Sequence, residues 1–321
     1  MRKPDPQQWG PYWERPTITS FGDMFPNNYD ASILDFWQRQ LTDRTGHIVD
    51  VACGNGALTW IANEILNRDG EKTRITGVDF ADIAPFRVLR RNRDDFPSVR
   101  FIGNTPAEKL PFKDGSVDMV ISQYGVEYTN LDETVPELSR VLVPAGRISL
   151  ILHDKASTII KGATAPLADF RTVLNDIAIH DAALRLENLY RRIRRPAARN
   201  GSTDIQGLVS TINAMANRVR EIVRDYPPRS PIHLYMERLN QALDLARNNR
   251  AGNSKALIRQ ARDGLHTHIV RVEDLEAAAL SPEGRRRLTA LLQKENFSVI
   301  EESVLAYRDN DNIGTILVAE R

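Results

Sequence analysis

Between residues 47 and 153 the chain alternates short, nearly uninterrupted apolar runs with stretches of helical periodicity, and no other feature limits its fold so strongly. Strands are read at 47–52, 74–80, 99–104, 117–123 and 147–153, with helices beginning near Ala57, Ala81 and Asp132. A run that is apolar on both faces belongs to a strand covered on both sides, and parallel strands need crossover connections long enough to hold a helix. The spacing therefore predicts an α/β fold, a doubly wound, Rossmann-like sheet with right-handed crossovers. Val135 and Leu138 continue the helix that starts at Asp132, and Pro144 with Gly146 is expected to close it before Arg147.

Segments of different character flank this core. Residues 1–45 concentrate aromatic side chains, Trp9, Tyr12, Trp13, Phe21, Phe25, Tyr29, Phe36 and Trp37, among Pro, Asn and Asp. They either pack the segment onto the core or form an aromatic lid over a pocket. Residues 28–41 are expected to be helical, with Ile33, Leu34, Trp37 and Leu41 on one face. From 155 to 270 strand signals vanish and helical periodicity takes over, which marks a large helical insertion. Residues 180–230 carry ten Arg and five acidic residues, so this part presents a solvated face, a homodimer surface or a groove for an anion. Pro196, Gly201, Pro227 and Pro228 are expected to break its helices. Residues 271–321 return to the core with a helix at 281–295 and a C-terminal antiparallel hairpin turning at Asn310, Asp311 and Asn312, which completes a seven-stranded sheet.

The 321 residues are 41% hydrophobic and 26% charged, ordinary values for a folded chain. Forty-three basic against forty-two acidic side chains leave +1, so the whole molecule exerts no long-range pull on nucleic acid or anionic lipid. Cys53 is the single cysteine, which excludes an intrachain disulfide and a multi-cysteine metal site and fits a reducing compartment. No stretch approaches the roughly 20 apolar residues of a spanning helix, and the amino terminus lacks an apolar signal core. A cytoplasmic chain without a membrane span is expected. His266 and His268, two apart on a helix, diverge, so no metal site is expected.

The chemistry gathers where the first strand ends. Asp50-Val51-Ala52-Cys53-Gly54-Asn55-Gly56-Ala57 leads from that strand into a helix, and Asp79 closes the second strand. Glycines there allow a sharp turn and close approach of a ligand, while a carboxylate at the next strand end accepts hydrogen bonds from ribose hydroxyls. A pyrophosphate site wants a third glycine, but Gly56 is followed by Ala57, Leu58 and Thr59. Asp50 beside the turn would repel phosphate and suits an ammonium group.

These residues resemble the class I S-adenosylmethionine-dependent methyltransferases of the small-molecule, type 11-like kind, whose signature is an acid followed by a glycine-rich loop. Residues 107–112 (AEKLPF) with 114–118 (DGSVD), 122–128 (SQYGVEY) and 138–147 (LSRVLVPAGR) resemble further segments of that family in order and spacing. The resemblance covers about residues 45–154 and, loosely, 281–321. It implies S-adenosyl-L-methionine as cofactor, with Asp50 and the loop Ala52, Cys53, Gly54, Asn55 and Gly56 at its methionyl end, together with Gln123. Asp79 would take the ribose, Phe80 one face of the adenine, and Asn104, Ala107 and Glu108 its edge. Ala52 stands where the family has its first glycine, and Asn104 replaces the acid expected after the third strand.

Methyl transfer is an in-line displacement in which alignment alone supplies much of the rate, and a base adds on the order of 10² to 10⁴. Glu127 is the first candidate base, then His153, with Tyr124 beside them. Tyr12, Trp13 and Tyr128 are candidates for holding the acceptor, and aromatic faces near a sulfonium attract it by roughly 0.5–2 kcal/mol. Cys53 lies within the cofactor loop, so no thiol is spare for attack on a pyrimidine, and SQYG is not the loop that methylates exocyclic amines of bases. A nucleic-acid substrate is disfavoured. The reading is methyl transfer to an O or N atom of a small molecule, such as a sugar, nucleotide-sugar or secondary metabolite. A NAD(P)-dependent oxidoreductase and a non-catalytic cofactor-binding or assembly protein are the alternatives.

Overall fold

In the computed structural model the described residues are all except 1–5, 22–24, 26, 69, 71–72, 194–201, 249–252 and 309. Pro196 and Gly201, expected to break helices, lie outside them. Contacts divide the chain into two compact units, Met1–Gly162 with Asp274–Arg321, and Ala163–Glu273.

The first unit is built on a seven-stranded sheet of order β3-β2-β1-β4-β5-β7-β6. Its strands are β1 (His47–Val51), β2 (Arg74–Val78), β3 (Val99–Ile102), β4 (Val117–Gln123), β5 (Leu142–Leu152), β6 (Ser298–Tyr307) and β7 (Asp311–Glu320). The first five pair in parallel. β7 lies antiparallel to both β5 and β6. Strand order reverses at β1, which pairs with β2 on one side and β4 on the other. In open α/β sheets ligands bind beyond the carboxyl ends of strands at such a switch point. The antiparallel β7, inserted between β5 and β6, departs from the all-parallel order of dinucleotide-binding sheets.

Every residue of β1 is buried, as its HIVDV sequence demands, and this puts Asp50 inside the protein. α1 (Pro6–Trp13) and α2 (Ala31–Leu41) precede the sheet. The buried face of α2 carries Ile33, Phe36, Trp37, Gln40 and Leu41, so Phe36 takes the place expected of Leu34, which is only partly buried. α3 (Ala57–Leu66) follows β1. α4 (Pro85–Val88) starts four residues later than the expected helix at Ala81, because proline favours the first helical position and pushes the residue before it out of the α region. α5 (Leu131–Val141) ends without the help expected from Pro144 and Gly146. Those residues lie inside β5, in an excursion between the pairs Val117 with Leu142 and Met119 with Arg147.

β5 is followed by α6 (Thr158–Thr164), and the second unit holds helices and no strand among its described residues. They are α7 (Leu167–Arg171), a π-helical turn at Thr172–Ile177, α8 (Ile179–Ile193), α9 (Ser202–Ile222), α10 (Pro231–Arg247) and most of α11 (Ser254–Ala278). They enclose their own apolar core, including Phe170, Val173, Val219, Tyr235, Leu239 and Ile258. α12 (Pro282–Lys294), capped by the Ser281 hydroxyl accepting from Gly284 N–H, leads into the hairpin. Among the described residues no helix is long and apolar enough to cross a membrane.

Candidate cofactor pocket and active site

β1 delivers the chain into a turn that only unusual backbone angles can make. Ala52, Gly54 and Gly56 have φ of +57°, +52° and +83°. Glycine adopts this region freely, while alanine is strained there by roughly 1–2 kcal/mol. Ala52 is held by hydrogen bonds around it: Cys53 N–H donates to Val78 O at 3.0 Å, and Ser122 Oγ donates to Val51 O at 2.7 Å. At Gly56 a Cβ would fall 2.6 Å from the Phe101 ring, so the close packing of the aromatic cluster under the loop also requires glycine.

Asp79, one residue beyond β2, fixes the shape of the loop. Its Oδ2 accepts from Gly54 N–H at 2.7 Å and its Oδ1 from Ala81 N–H at 2.8 Å. Burial raises its pKa even against these two bonds. The carboxylate is one wall of an open pocket of about 880 Å³. Phe80, Ala81, Pro106, Ala107 and Glu108 continue that wall, and Ala52, Tyr124, Gly125, Tyr128, Thr129, Trp9 and Trp13 close it. Phe80 is 47% exposed, unusual for a phenylalanine and consistent with a ring waiting for a flat partner. Asn104 departs from its expected place. It lines neither pocket, its φ is +51°, and its side-chain amide donates to Asp82 at 3.3 Å.

A smaller pocket of about 370 Å³ meets the first across Trp13, Ala52 and Tyr124. Asp50, Cys53, Gln123, Tyr29, Thr19 and Ser20 are among its walls. Asp50 is 1% exposed, and Thr59 Oγ1 donates to its Oδ2 at 2.6 Å. Burial lifts its pKa to about 7. Gln123 presents the opposite polarity. The Trp37 indole N–H donates to its Oε1 at 2.6 Å, which fixes the amide orientation, and its buried Nε2 has no partner. An unanswered buried donor costs about 1–3 kcal/mol, so a carboxylate brought there would restore a missing bond. An acceptor and a free donor on the walls of one small pocket fit the two ends of an amino-acid group.

The candidate bases sit behind this surface instead of on it. Glu127 is 2% exposed, and its Oε1 accepts from His153 N–H at 2.7 Å while Oε2 has no partner. Burial raises its pKa to about 7 and lowers that of His153 to about 3, so the imidazole is neutral at ordinary pH. His153 Nδ1 is likewise unpartnered. Its ring stacks on Tyr124 at 4.5 Å between centroids. Tyr124, itself left-handed at φ +55°, donates its hydroxyl to Ile313 O at 3.0 Å. That bond commits the phenol away from proton transfer and leaves the ring as the face turned to both pockets. Neither Glu127 nor His153 lines either pocket, because Tyr124 and Tyr128 intervene.

Trp13 is in both pocket walls, Trp9 in one, and Tyr12 packs edge-on against Trp13 at 4.9 Å without lining either. Tyr128 contributes beside Trp9, ring centroids 5.7 Å apart. Asn55, expected at the cofactor, has its side chain turned the other way and fully buried; its amide donates to the carbonyls of Arg15 and Thr17. Sequence reasoning missed Trp37 and Thr59, which orient Gln123 and Asp50. Helical spacing marked Trp37 only as part of an apolar face and Thr59 figured only as a residue where a third glycine is missing, and nothing local told a buried indole N–H that its partner lay 86 residues away.

Residues 48–146 match the family model described as a methyltransferase domain. The ubiquinone/menaquinone biosynthesis C-methyltransferase UbiE of Pseudomonas paraeruginosa is 29% identical over 147 residues, 42% of this chain and 55% of that protein. The protein of the same name from Pasteurella multocida is 32% identical over 144 residues, 41% of this chain and 51% of its own. The chain thus spans about half the length of the curated relatives it matches. A solved structure of a SAM-dependent methyltransferase from Aquifex aeolicus is 18% identical over 48% of this chain and 75% of that one, with a TM-score of 0.35.

Proposed function

We propose that this chain, whose residues 48–146 match a methyltransferase domain, is a class I S-adenosylmethionine-dependent methyltransferase that transfers a methyl group from S-adenosylmethionine to a small-molecule acceptor. The observation that carries this reading is the polarity of the smaller pocket. Asp50 and the unpartnered Gln123 amide would receive the ammonium and carboxylate of the methionyl arm. A diphosphate at the same place would meet a carboxylate. Asp79 would hold the ribose, with Phe80, Ala107 and Glu108 around the adenine. When bound, S-adenosylmethionine supplies a methyl group on a cationic sulfur. The Tyr124 ring, shared by the two pockets, suits that charge, with cation–π attraction of roughly 0.5–2 kcal/mol.

The acceptor would enter between Trp9, Trp13 and Tyr128. No Lys or Arg is among the described residues lining either pocket, which argues against a phosphate-bearing acceptor such as a nucleotide-sugar. The oxygen or nitrogen acceptor expected from the sequence stands beside a carbon acceptor, since the curated relatives are named C-methyltransferases. Trp9, Trp13 and Tyr128 align and desolvate the acceptor, and Glu127, neutral over part of the physiological range, holds the end of β5 through His153 N–H and keeps Tyr124 in place. Alignment, not a base on the pocket wall, is the principal source of rate.

Incubation with methyl-labelled S-adenosylmethionine and fractionated cell extract tests the proposal. Label is expected in the small-molecule fraction. Label in nucleic acid, or none in any fraction, would contradict it.

A further inference from the structure

The side chain between the two loop glycines faces away from the pocket, and its bonds hold the aromatic segment in place. Asn55 is completely buried, and its amide donates to Arg15 O at 3.2 Å and Thr17 O at 2.9 Å. Those carbonyls belong to a tight turn after α1, where Thr17 N–H donates to Arg15 O at 2.7 Å. The loop is braced from beneath by Trp60, whose indole N–H donates to Asn55 O at 3.0 Å. Above it, Trp13 lies so close over Gly54 that a Cβ there would come within 2.4 Å of the indole. Trp13 is also a wall of both pockets, at the passage between them.

From these contacts we infer that Asn55 is a positioning residue that couples closure of the aromatic segment to the conformation of the cofactor loop; the inference rests on the methyltransferase reading. Only a side chain with two N–H donors on one nitrogen, short enough to stay under the turn, can answer both carbonyls. Aspartate, nearly the same size, would set oxygen against oxygen. Alanine would leave Thr17 O without this donor and Arg15 O with only the Thr17 N–H, a lesser fault because no repulsion is added. With the clasp made, Trp13 stays over Gly54 and a methionyl arm in the smaller pocket is shut in. With it broken, Trp13 is free to swing and the arm can leave.

Hydrogen exchange and stopped-flow release of S-adenosylhomocysteine, the product left when the donor has lost its methyl group, test this on the full chain. In the wild type, amides of residues 9–21 and 53–57 should open together, and S-adenosylhomocysteine should slow both. Asn55→Asp should release S-adenosylhomocysteine about 10-fold faster and lose protection in 9–21, while the bound-state protection of the 99–108 segment persists. Asn55→Ala should fall between. Wild-type release and protection in Asn55→Asp would overturn the inference, as would separate opening of the two segments in the wild type. The wild-type comparison needs no variant to fold, and its ligand-free half needs no ligand. A wild-type chain that binds no S-adenosylhomocysteine would instead refute the functional proposal, and joint opening without ligand would still speak for the clasp.

Discussion

Asp79→Ala is expected to weaken S-adenosylhomocysteine binding about 100-fold or more while leaving the sheet folded. The carboxylate accepts from Gly54 N–H and Ala81 N–H, one bond on each oxygen. It thereby ties the turn after β1 to the residues after β2. Hydrogen bonds to a charged group contribute about 1.5–3 kcal/mol each, and about 1.4 kcal/mol is a factor of ten in affinity. Removing the group would lose the contact with the ribose proposed for it and would also free the loop that should embrace the methionyl arm. Asp79→Asn should recover little, because an amide nitrogen would face one of the two N–H donors. Folding should tolerate the change, since burial already opposes the charged form of this side chain. Titration calorimetry of the two proteins measures the loss. Wild-type affinity in Asp79→Ala would remove Asp79 from the site.

Glu127→Gln should change how stability depends on pH. The ordinary pKa of the carboxyl is 4.5, and burial holds it at about 7 in the folded chain. Between those values the folded state binds more protons than the unfolded state, so stability falls as pH rises. The favourable contribution is complete below the unfolded pKa and is lost as pH passes through the folded one. A tenfold change in proton affinity is worth about 1.4 kcal/mol, which puts the effect on the order of 3 kcal/mol. Asp50 acts with the same sign, so the variant removes only part of the dependence. Glutamine mimics the protonated acid and keeps an oxygen for His153 N–H. Thermal unfolding should therefore find the variant near wild type at pH 5 and several degrees more stable at pH 8.5. An equal difference between the two proteins at both pH values would show that Glu127 does not titrate as its burial requires.

Much of the sheet could be read directly from the chain, because strands covered on both faces must be apolar throughout. β1 is the clear case, with HIVDV wholly buried. The loop and Asp79 were legible for a similar reason: glycine and a strand-end carboxylate are local solutions to a local geometric demand. Pro144 and Gly146 misled because both suit a helix stop and an irregular strand, and only the register of β4 with β5 decides between them. Asn55 shows a different limit. Its neighbours identified a cofactor loop, but the direction of its side chain depends on Arg15 and Thr17, some forty residues earlier. Glu127 and His153 reach the right end of the sheet, yet Tyr124 and Tyr128 come between them and the pocket, an order of layers that no linear pattern records.

A crystal structure of the protein with S-adenosylhomocysteine is the most direct test. The ligand should lie across both pockets, its amino-acid end between Asp50 and Gln123 and its ribose on Asp79. Density confined to the larger pocket, an inverted ligand, or a nicotinamide dinucleotide bound there in preference would contradict the assignment.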